Sequence, residues 1–472
     1  MNKMAKNFFS VSFSNLIGQV FTFLIGWYAA KKLTSSAFGD LMSVQAIIVY
    51  FSIIVVFGLQ NYGTREVVKY KERIPKIVGE ILTFRIFIFL ISYVCIYILY
   101  LKLQNDVITK NLLIIYGVTL LPTCLSLDWV FNGIEKMNYN AVYNVIKTLI
   151  PCVLTFILVK DSKDINLIPI FTIIALTLGS IYQIYTYIFK LKLKIEFQID
   201  FSKYRSYFLF GLPFVLSGIL ATINTNVDRL VIEFTISSSA AGIYSVSYYV
   251  VSFLTTVVTF IFVPVFPMLV DLYHKKEITK MEKLTDNLAK VVIMVILPIT
   301  IGGILLSKEI ILLFGQKYIT AYLPFSILMI YTFLLFIREL YGYGLNAWHM
   351  EKKYLRVVAV SALLNLTLNL IFTPRFGMNI AAIITVISEV INLILMKHYA
   401  EKVVKISSFK YILKALIPTL IMTVVVLLFK FLSVNIIINI IVSAIVYIAA
   451  IIGFKYMSID EIKSFLLRKN GV

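Results

Sequence analysis

Thr222, Asn226, Arg229 and Glu233 are spaced 4, 3 and 4 residues apart, so on a helix they form one stripe. Asp228 stands beside the arginine. A guanidinium offers a rigid fork of donors that suits phosphate, while amides and hydroxyls suit a polyhydroxylated ligand. The two acids are candidates for carrying a coupling ion. Two other segments repeat the 4, 3, 4 spacing: Asn15, Gln19, Thr22 and Gly26, then Asn140, Asn144, Lys147 and Pro151. The text around all three stripes is apolar. A polar stripe turned to lipid is costly, so these stripes are expected to line a watery cavity.

The elements that must position them follow from composition. Hydrophobic residues are 60% of the 472 and charged residues 14%. A soluble globular chain has about half apolar and about a quarter charged residues. Apolar runs of span length recur from about residue 8 to residue 454, and fourteen helices are expected. The fold class is therefore all-α, a polytopic membrane protein. The run after Lys3 and Lys6 reaches about Ala30, too long for a signal peptide, and is read as the first span. Fourteen is even, so both termini share a side.

The net charge of +20 invites a nucleic-acid reading. Its distribution speaks against one. Roughly three quarters of the Lys and Arg fall on connections sharing a side with both termini, which is the positive-inside pattern. Both ends are expected in the cytoplasm, in a cytoplasmic (inner) membrane, with some attraction to anionic membrane lipids. No nucleic-acid partner is expected. Cys95, Cys124 and Cys152 are scattered in apolar segments and read as packing. His274, His349 and His398 fall in cytoplasmic connections. No metal spacing, cofactor motif, P-loop or catalytic constellation is present, so no metal, cofactor or enzymatic activity is expected.

Several charges need separate weighing. Arg229 lies in the outer half of a long span. It faces the cavity, snorkels outward, or pairs with Glu233 one turn on. Lys147 either lines the cavity or reaches the cytoplasmic side. Glu389, midway along the twelfth span, is an apparently isolated acid. It reads either as a coupling group or as hydrogen-bonded structure. Arg65, Arg85, Arg338 and Arg356 sit near cytoplasmic ends and read as interfacial anchors. Lys31 and Lys32 lie on the outer side.

The chain also repeats itself. Ser-Ser-Ala-x-Gly occurs at 35–39 and at 238–242, an offset of 203. Glu135-Lys136 is echoed at Glu351-Lys352. Two parallel six-span halves are expected: 1–190, then a cytoplasmic linker 191–206, then 207–397. Residues 398–472 would add two helices and a cytoplasmic tail. Transporters built from repeats bind substrate between them.

SLDWVFNGIEKM, residues 126–137, resembles the Asp-Trp-x-Phe-Gln-Gly-x-Glu-x-Met signature of Wzx-type polysaccharide flippases. Asp128, Trp129, Phe131, Gly133, Glu135 and Met137 match, and Asn132 replaces the usual Gln. AFGDLMSVQAI (37–47), GLQNYGTREV (58–67), DRLVIEFTISSSAAGIYSVSY (228–248), LFGQKY (313–318) and RFGMNIAAIITVISE (375–389) resemble the same family, so the likeness covers nearly the whole chain. The resemblance implies the multidrug/oligosaccharidyl-lipid/polysaccharide exporter fold, two six-helix bundles around a central cavity plus two C-terminal helices. It implies flipping of an undecaprenyl-diphosphate-linked oligosaccharide, an O-antigen or capsule repeat unit, from the inner to the outer leaflet. Ion-gradient coupling by alternating access goes with it, and polysaccharide polymerase machinery is an implied partner. Asp128 and Trp129 are expected to tie the connection after the fourth span, with the Trp at the interface. A small-molecule exporter of the same superfamily is the nearest rival, but such proteins usually have twelve spans. A membrane polymerase or ligase would need a large outer loop, and here outer connections reach only about fifteen residues.

Overall fold

The computed structural model describes residues 3–103, 107–406 and 408–456; side chains are described from Ser14 onward, except at 259, 260 and 409. The cytoplasmic tail expected at the C-terminus lies largely outside this set. Among the described residues the regular structure is helical throughout. Thirteen helical stretches are long and apolar enough to cross a membrane. With the 30-residue first helix they match the count expected from composition. The protein is an all-α, multi-pass membrane protein.

In chain order the helices are α1 (Lys3–Lys32), α2 (Ser35–Val56), α3 (Leu59–Lys69), α4 (Ile74–Lys102), α5 (Val107–Gly117), α6 (Leu120–Cys124), α7 (Asp128–Gly133), α8 (Asn138–Leu158), α9 (Leu167–Tyr185), α10 (Phe201–Thr235) and α11 (Ser238–Phe262). They continue with α12 (Phe266–His274), α13 (Ile278–Leu305), α14 (Ser307–Leu312), α15 (Tyr322–Ala347), α16 (Glu351–Phe376), α17 (Met378–Ala400), α18 (Ser408–Phe431) and α19 (Ile436–Gly453). The expected fourth span, near 111–131, is broken into α5, α6 and α7. Pro122 lacks the N–H that a continuous helix needs, and the carbonyls freed in this stretch are taken by side chains. One is that of Pro122 itself, which accepts from the Ser180 hydroxyl at 2.8 Å.

Packing divides the chain into two compact units: Met1–Thr256 with Ala362–Ala381, and Val257–Ser361 with Ala382–Val472. In the first, α1 lies along α8, α8 along α9, and α2 against α4, α5 and α10. The grouping of α10 with the N-terminal helices differs from the division expected from the repeat. It follows from contacts on α2 that α10 makes through Arg229 and Glu233. Asp200 caps the start of α10; the Ser202 hydroxyl, with its amide, holds the Asp200 carboxyl below the usual carboxylate range.

In the second unit, α13 packs between α15 and α18, and α18 pairs with α19. The Tyr447 hydroxyl donates to the Met294 carbonyl at 2.7 Å, fixing α19 to α13. Asn439 is buried and donates to the Val426 carbonyl at 3.1 Å. The remaining faces of α18 and α19 expose Leu420, Val424, Leu428, Ile437, Ile441 and Ile448. In water such a surface would associate; in a bilayer it meets a solvent as apolar as itself.

Candidate functional site

Two of the three expected stripes meet. Asn144 of α8 donates to the Asn15 side-chain oxygen of α1 at 2.7 Å. Gly18 lets α1 approach Thr148 closely, since a Cβ there would come within 3.3 Å of the threonine methyl. Asn15, Gln19 and Thr22 remain exposed along the rest of the stripe. The Thr22 hydroxyl bonds back to the Gly18 carbonyl, and the Thr22 carbonyl accepts from Tyr249 of α11. At Gly26 a Cβ would overlap the Tyr249 ring, so the glycine makes room for the tyrosine.

Lys147 of α8 lies half-buried beside this junction. Its ammonium sits over the Tyr143 ring, 5.2 Å from the centroid. Asp128 lies within electrostatic range of Lys147 and of Arg85. Lysine, tyrosine face and amides thus form one polar tract along α1 and α8, in which Lys147 supplies the cation.

The third stripe, on α10, is split. Thr222 is buried, and Asn226 donates to its neighbour Thr225. Arg229 turns to α2: its Nη1 donates to the Met42 carbonyl at 3.2 Å and its guanidinium lies over the Tyr248 ring at 5.9 Å. It makes no ion pair with Glu233, which accepts instead from Ser43 at 3.0 Å and Ser238 at 2.6 Å. Snorkelling does not describe it either, because Arg229 is only 9% exposed. Its Nε has no hydrogen-bond partner. Asp228 points elsewhere again, accepting from Tyr244 and from Asn369 of α16, each at 2.8 Å.

Three readings of single charges change. Glu389 is not isolated: Arg338 Nε donates to it at 2.6 Å, and Arg338 also pairs with Glu339 at 2.9 Å. Arg338 is therefore no interfacial anchor but the centre of a buried cluster, since a charge this deep requires a partner. Arg85 is likewise buried, at 1% exposure, and donates to the Ser126 carbonyl at 3.4 Å. Arg65 and Arg356 are exposed, as anchors would be. Lys31 lies over Trp27, and Lys32 lies over Tyr28. His274 and His349 are exposed and face each other, Nε2 to Nε2, at 3.4 Å. Cys124 and Cys152 are buried, whereas Cys95 is on an exposed face of α4.

The Asp128-Trp129 segment serves packing. Trp129 has no exposed surface, so it does not sit at an interface. Gly63 of α3 leaves the space its ring fills, and Gly133 is packed on Val67 of the same helix. Phe131 is fully buried, and the exposed Glu135 takes a left-handed turn at φ 59. Around Asp128, Asn140 donates to its carbonyl at 2.8 Å and to Asn132 at 2.9 Å, while Gln183 accepts from the Leu127 amide. Asn132 makes the bond open to a side-chain amide oxygen, a role glutamine shares. Among the described residues no group of three metal-ligating side chains is close enough to hold an ion.

Sequence reasoning missed Asp40, which belongs to this polar set. It is buried on α2, accepts from the Thr109 hydroxyl at 2.9 Å and lies within electrostatic range of Glu233. It stands one residue after a motif glycine at the edge of an expected span, outside every polar stripe.

Known proteins agree with this architecture. The family model for polysaccharide biosynthesis proteins matches residues 4–273. That for the lipid II flippase MurJ matches residues 141–449. A probable low-salt glycan biosynthesis flippase, Agl15, of Haloferax volcanii is 24% identical over 86% of this chain and 85% of its own length. A putative O-antigen transporter of Shigella dysenteriae is 28% identical over 34% of this chain, a match spanning 41% of that protein. Among solved structures, the lipid II flippase MurJ in an inward closed conformation superposes with a TM-score of 0.78, at 18% identity, over 94% of this chain and 98% of that one. That likeness shows the fold. Each family model covers more than half of the sequence, and the chain belongs to the polysaccharide biosynthesis protein family.

Proposed function

We propose that the protein flips a lipid-linked oligosaccharide, an undecaprenyl-diphosphate-linked repeat unit, from the inner to the outer leaflet of the cytoplasmic membrane for surface polysaccharide synthesis. The polar tract along α1 and α8 carries the reading. A diphosphate-sugar headgroup cannot cross hydrocarbon unaided, because buried charge and unpaired hydroxyls cost many kcal/mol. Asn15, Gln19, Thr22 and Asn144 offer amide and hydroxyl partners, and Lys147 offers a cation, while the lipid tail stays among lipids. On α10, apart from this tract, Arg229 keeps an unpartnered Nε as a donor for phosphate, and Asn226 offers an amide. Both termini face the cytoplasm, as the Lys and Arg distribution implies. Transport is coupled to an ion gradient by alternating access, with Asp228, Glu233 and Glu389 as the acids to test. The polymerase that consumes the delivered unit acts on the outer side.

The test is deletion of the gene in its host, with surface polysaccharide and undecaprenyl-linked intermediates assayed together. Loss of surface glycan with unpolymerised units held in the inner leaflet is expected. Lys147→Ala and Arg229→Ala should reproduce that phenotype at normal protein levels. Normal surface glycan with reduced drug efflux would overturn the proposal in favour of a small-molecule exporter.

A further inference from the structure

Asp40 of α2 stands one turn before Ser43, which donates to Glu233 of α10 at 3.0 Å, so the two carboxyl groups are neighbours across the α2–α10 contact. Both are buried, at 3% and 6% exposure. Thr109 of α5 donates to Asp40 Oδ1 at 2.9 Å, while Ser43 and Ser238 donate to the two oxygens of Glu233. Neither acid takes part in a salt bridge among the described residues.

The charged and titratable groups on the surrounding helices are engaged elsewhere. Arg229 is turned to the Met42 carbonyl and Tyr248. Asp228 is held by Tyr244 and Asn369. On α5, Lys110 lies over the Tyr100 ring and Tyr116 accepts from Gln45. On α1, Lys31 lies over Trp27. In the 160–166 turn beside α2, Asp161 and Asp164 cap backbone amides. At the far end of α4, Glu80 is taken by Lys203 and Tyr207.

Two carboxylates offer acceptors only, and one proton shared between them removes one of the two charges. Without that proton, two like charges would face each other in a low-dielectric interior with no cation between them.

The acid pair sits next to a close helix approach between α2 and α11. A Cβ at Gly39 would overlap the Ser238 carbonyl, and a Cβ at Gly242 would overlap the Ser35 carbonyl. The Ser35 and Ser239 hydroxyls meet at 2.9 Å. The first turns of α2 and α11 are thereby pressed together, and Glu233 reaches both: α2 through Ser43, α11 through Ser238.

We propose that Asp40 and Glu233 form a proton-binding site that latches the α2–α11 contact. Protonated, the pair holds the two helix starts together. Deprotonated, it drives them apart. If the flippase reading is right, this is where a proton couples to the transport cycle, and Asp40 acts with Glu233 rather than either acid alone.

The test reads the contact directly and needs no sugar substrate, so it stands or falls apart from the flippase reading. Full-length protein carrying Ser35→Cys and Ser239→Cys in a Cys95→Ser background is reconstituted into phosphatidylethanolamine–phosphatidylglycerol vesicles. Disulfide formation under a fixed oxidant is followed against pH, with and without Asp40→Asn or Glu233→Gln. Removing a carboxylate lowers the pKa of a nearby thiol, so each rate is divided by the alkylation rate of the same thiols in the corresponding single-cysteine proteins, and the ratio that remains isolates the latch. The parent's normalised rate should fall relative to both variants as pH rises, because an amide does not titrate and leaves a single acid at the site. Superimposable pH profiles would overturn the proposal. Infrared spectra of the unmodified protein give a second reading that does not depend on variants folding. They should contain a protonated-carboxyl band that disappears at alkaline pH, and its absence would also overturn the proposal.

Discussion

Arg338 shows how a charge is kept inside a membrane helix. It touches two acids, Glu339 and Glu389, and Asn392 donates to the second at 3.4 Å. The consequences of removing each partner are unequal. Glu389→Gln leaves Arg338 paired with Glu339. Arg338→Met leaves the buried Glu389 beside the partly buried Glu339 with no cation, a loss of about 3–5 kcal/mol by analogy with broken buried pairs. Thermal unfolding of the detergent-solubilised protein should show a larger drop for Arg338→Met than for Glu389→Gln. Equal drops would mean that the cluster is wetter than its burial implies. The pairing could not be read from the chain, because the two residues lie 51 positions apart on separate helices. Only their shared depth hinted at it. The Asn15 and Asn144 pair was more legible, since each belonged to a stripe with regular spacing.

At the scale of helices, the short α3 and α7 carry the most family-specific text. Trp129 fills the space left by Gly63, and the Thr64 hydroxyl donates to the Trp129 carbonyl at 3.1 Å. Trp129→Ala should empty a fully buried site and cost about 3–5 kcal/mol. Gly63→Leu should fail for the opposite reason, by overfilling it. Both should reduce the amount of folded protein recovered from membranes, measured by size exclusion, and the material that folds should keep its transport. A normal yield with lost transport would instead give the tryptophan a direct role in the cycle. Hydrophobic periodicity found the long helices but not all their starts: α13 begins at Ile278, well before its apolar run, because Lys280, Glu282, Lys283 and Asp286 lie in its first turns. It missed the division of the fourth span, because the side chains that replace the lost backbone bonds come from distant segments such as α9. Trp129 was misplaced for a related reason: the glycine that accommodates it is 66 residues away.

For the molecule as a whole, the distribution of Lys and Arg makes a statement about sidedness. Lys163 and Lys283 are both exposed and lie on connections expected on opposite faces of the membrane. In cells lacking other reactive thiols in this protein, Lys163→Cys should react with an impermeant maleimide from outside. Lys283→Cys should react only after permeabilisation. The reverse pattern would invert the topology and with it the direction of flipping. The all-α, multi-pass class was legible in the apolar runs. The grouping of α10 with the N-terminal helices was not, because it depends on which side chains of α10 find partners on α2.

The repeated Ser-Ser-Ala-x-Gly motif has a consequence of another kind. Ser35 lies against Gly242, and Ser238 lies against Gly39. A contact in which each copy presents the same two residues to the other is what a two-fold axis produces between identical subunits. Here both copies sit on one polypeptide, so the junction has the form of a homodimer interface enclosed within a single gene product. Its two sequences are not free to drift apart. A bulkier residue at either glycine strikes the backbone of the other copy, and relief must come from the partner motif about two hundred residues along the chain. Descent from a fused pair would thus be preserved where the helices touch, long after the rest of each half had diverged.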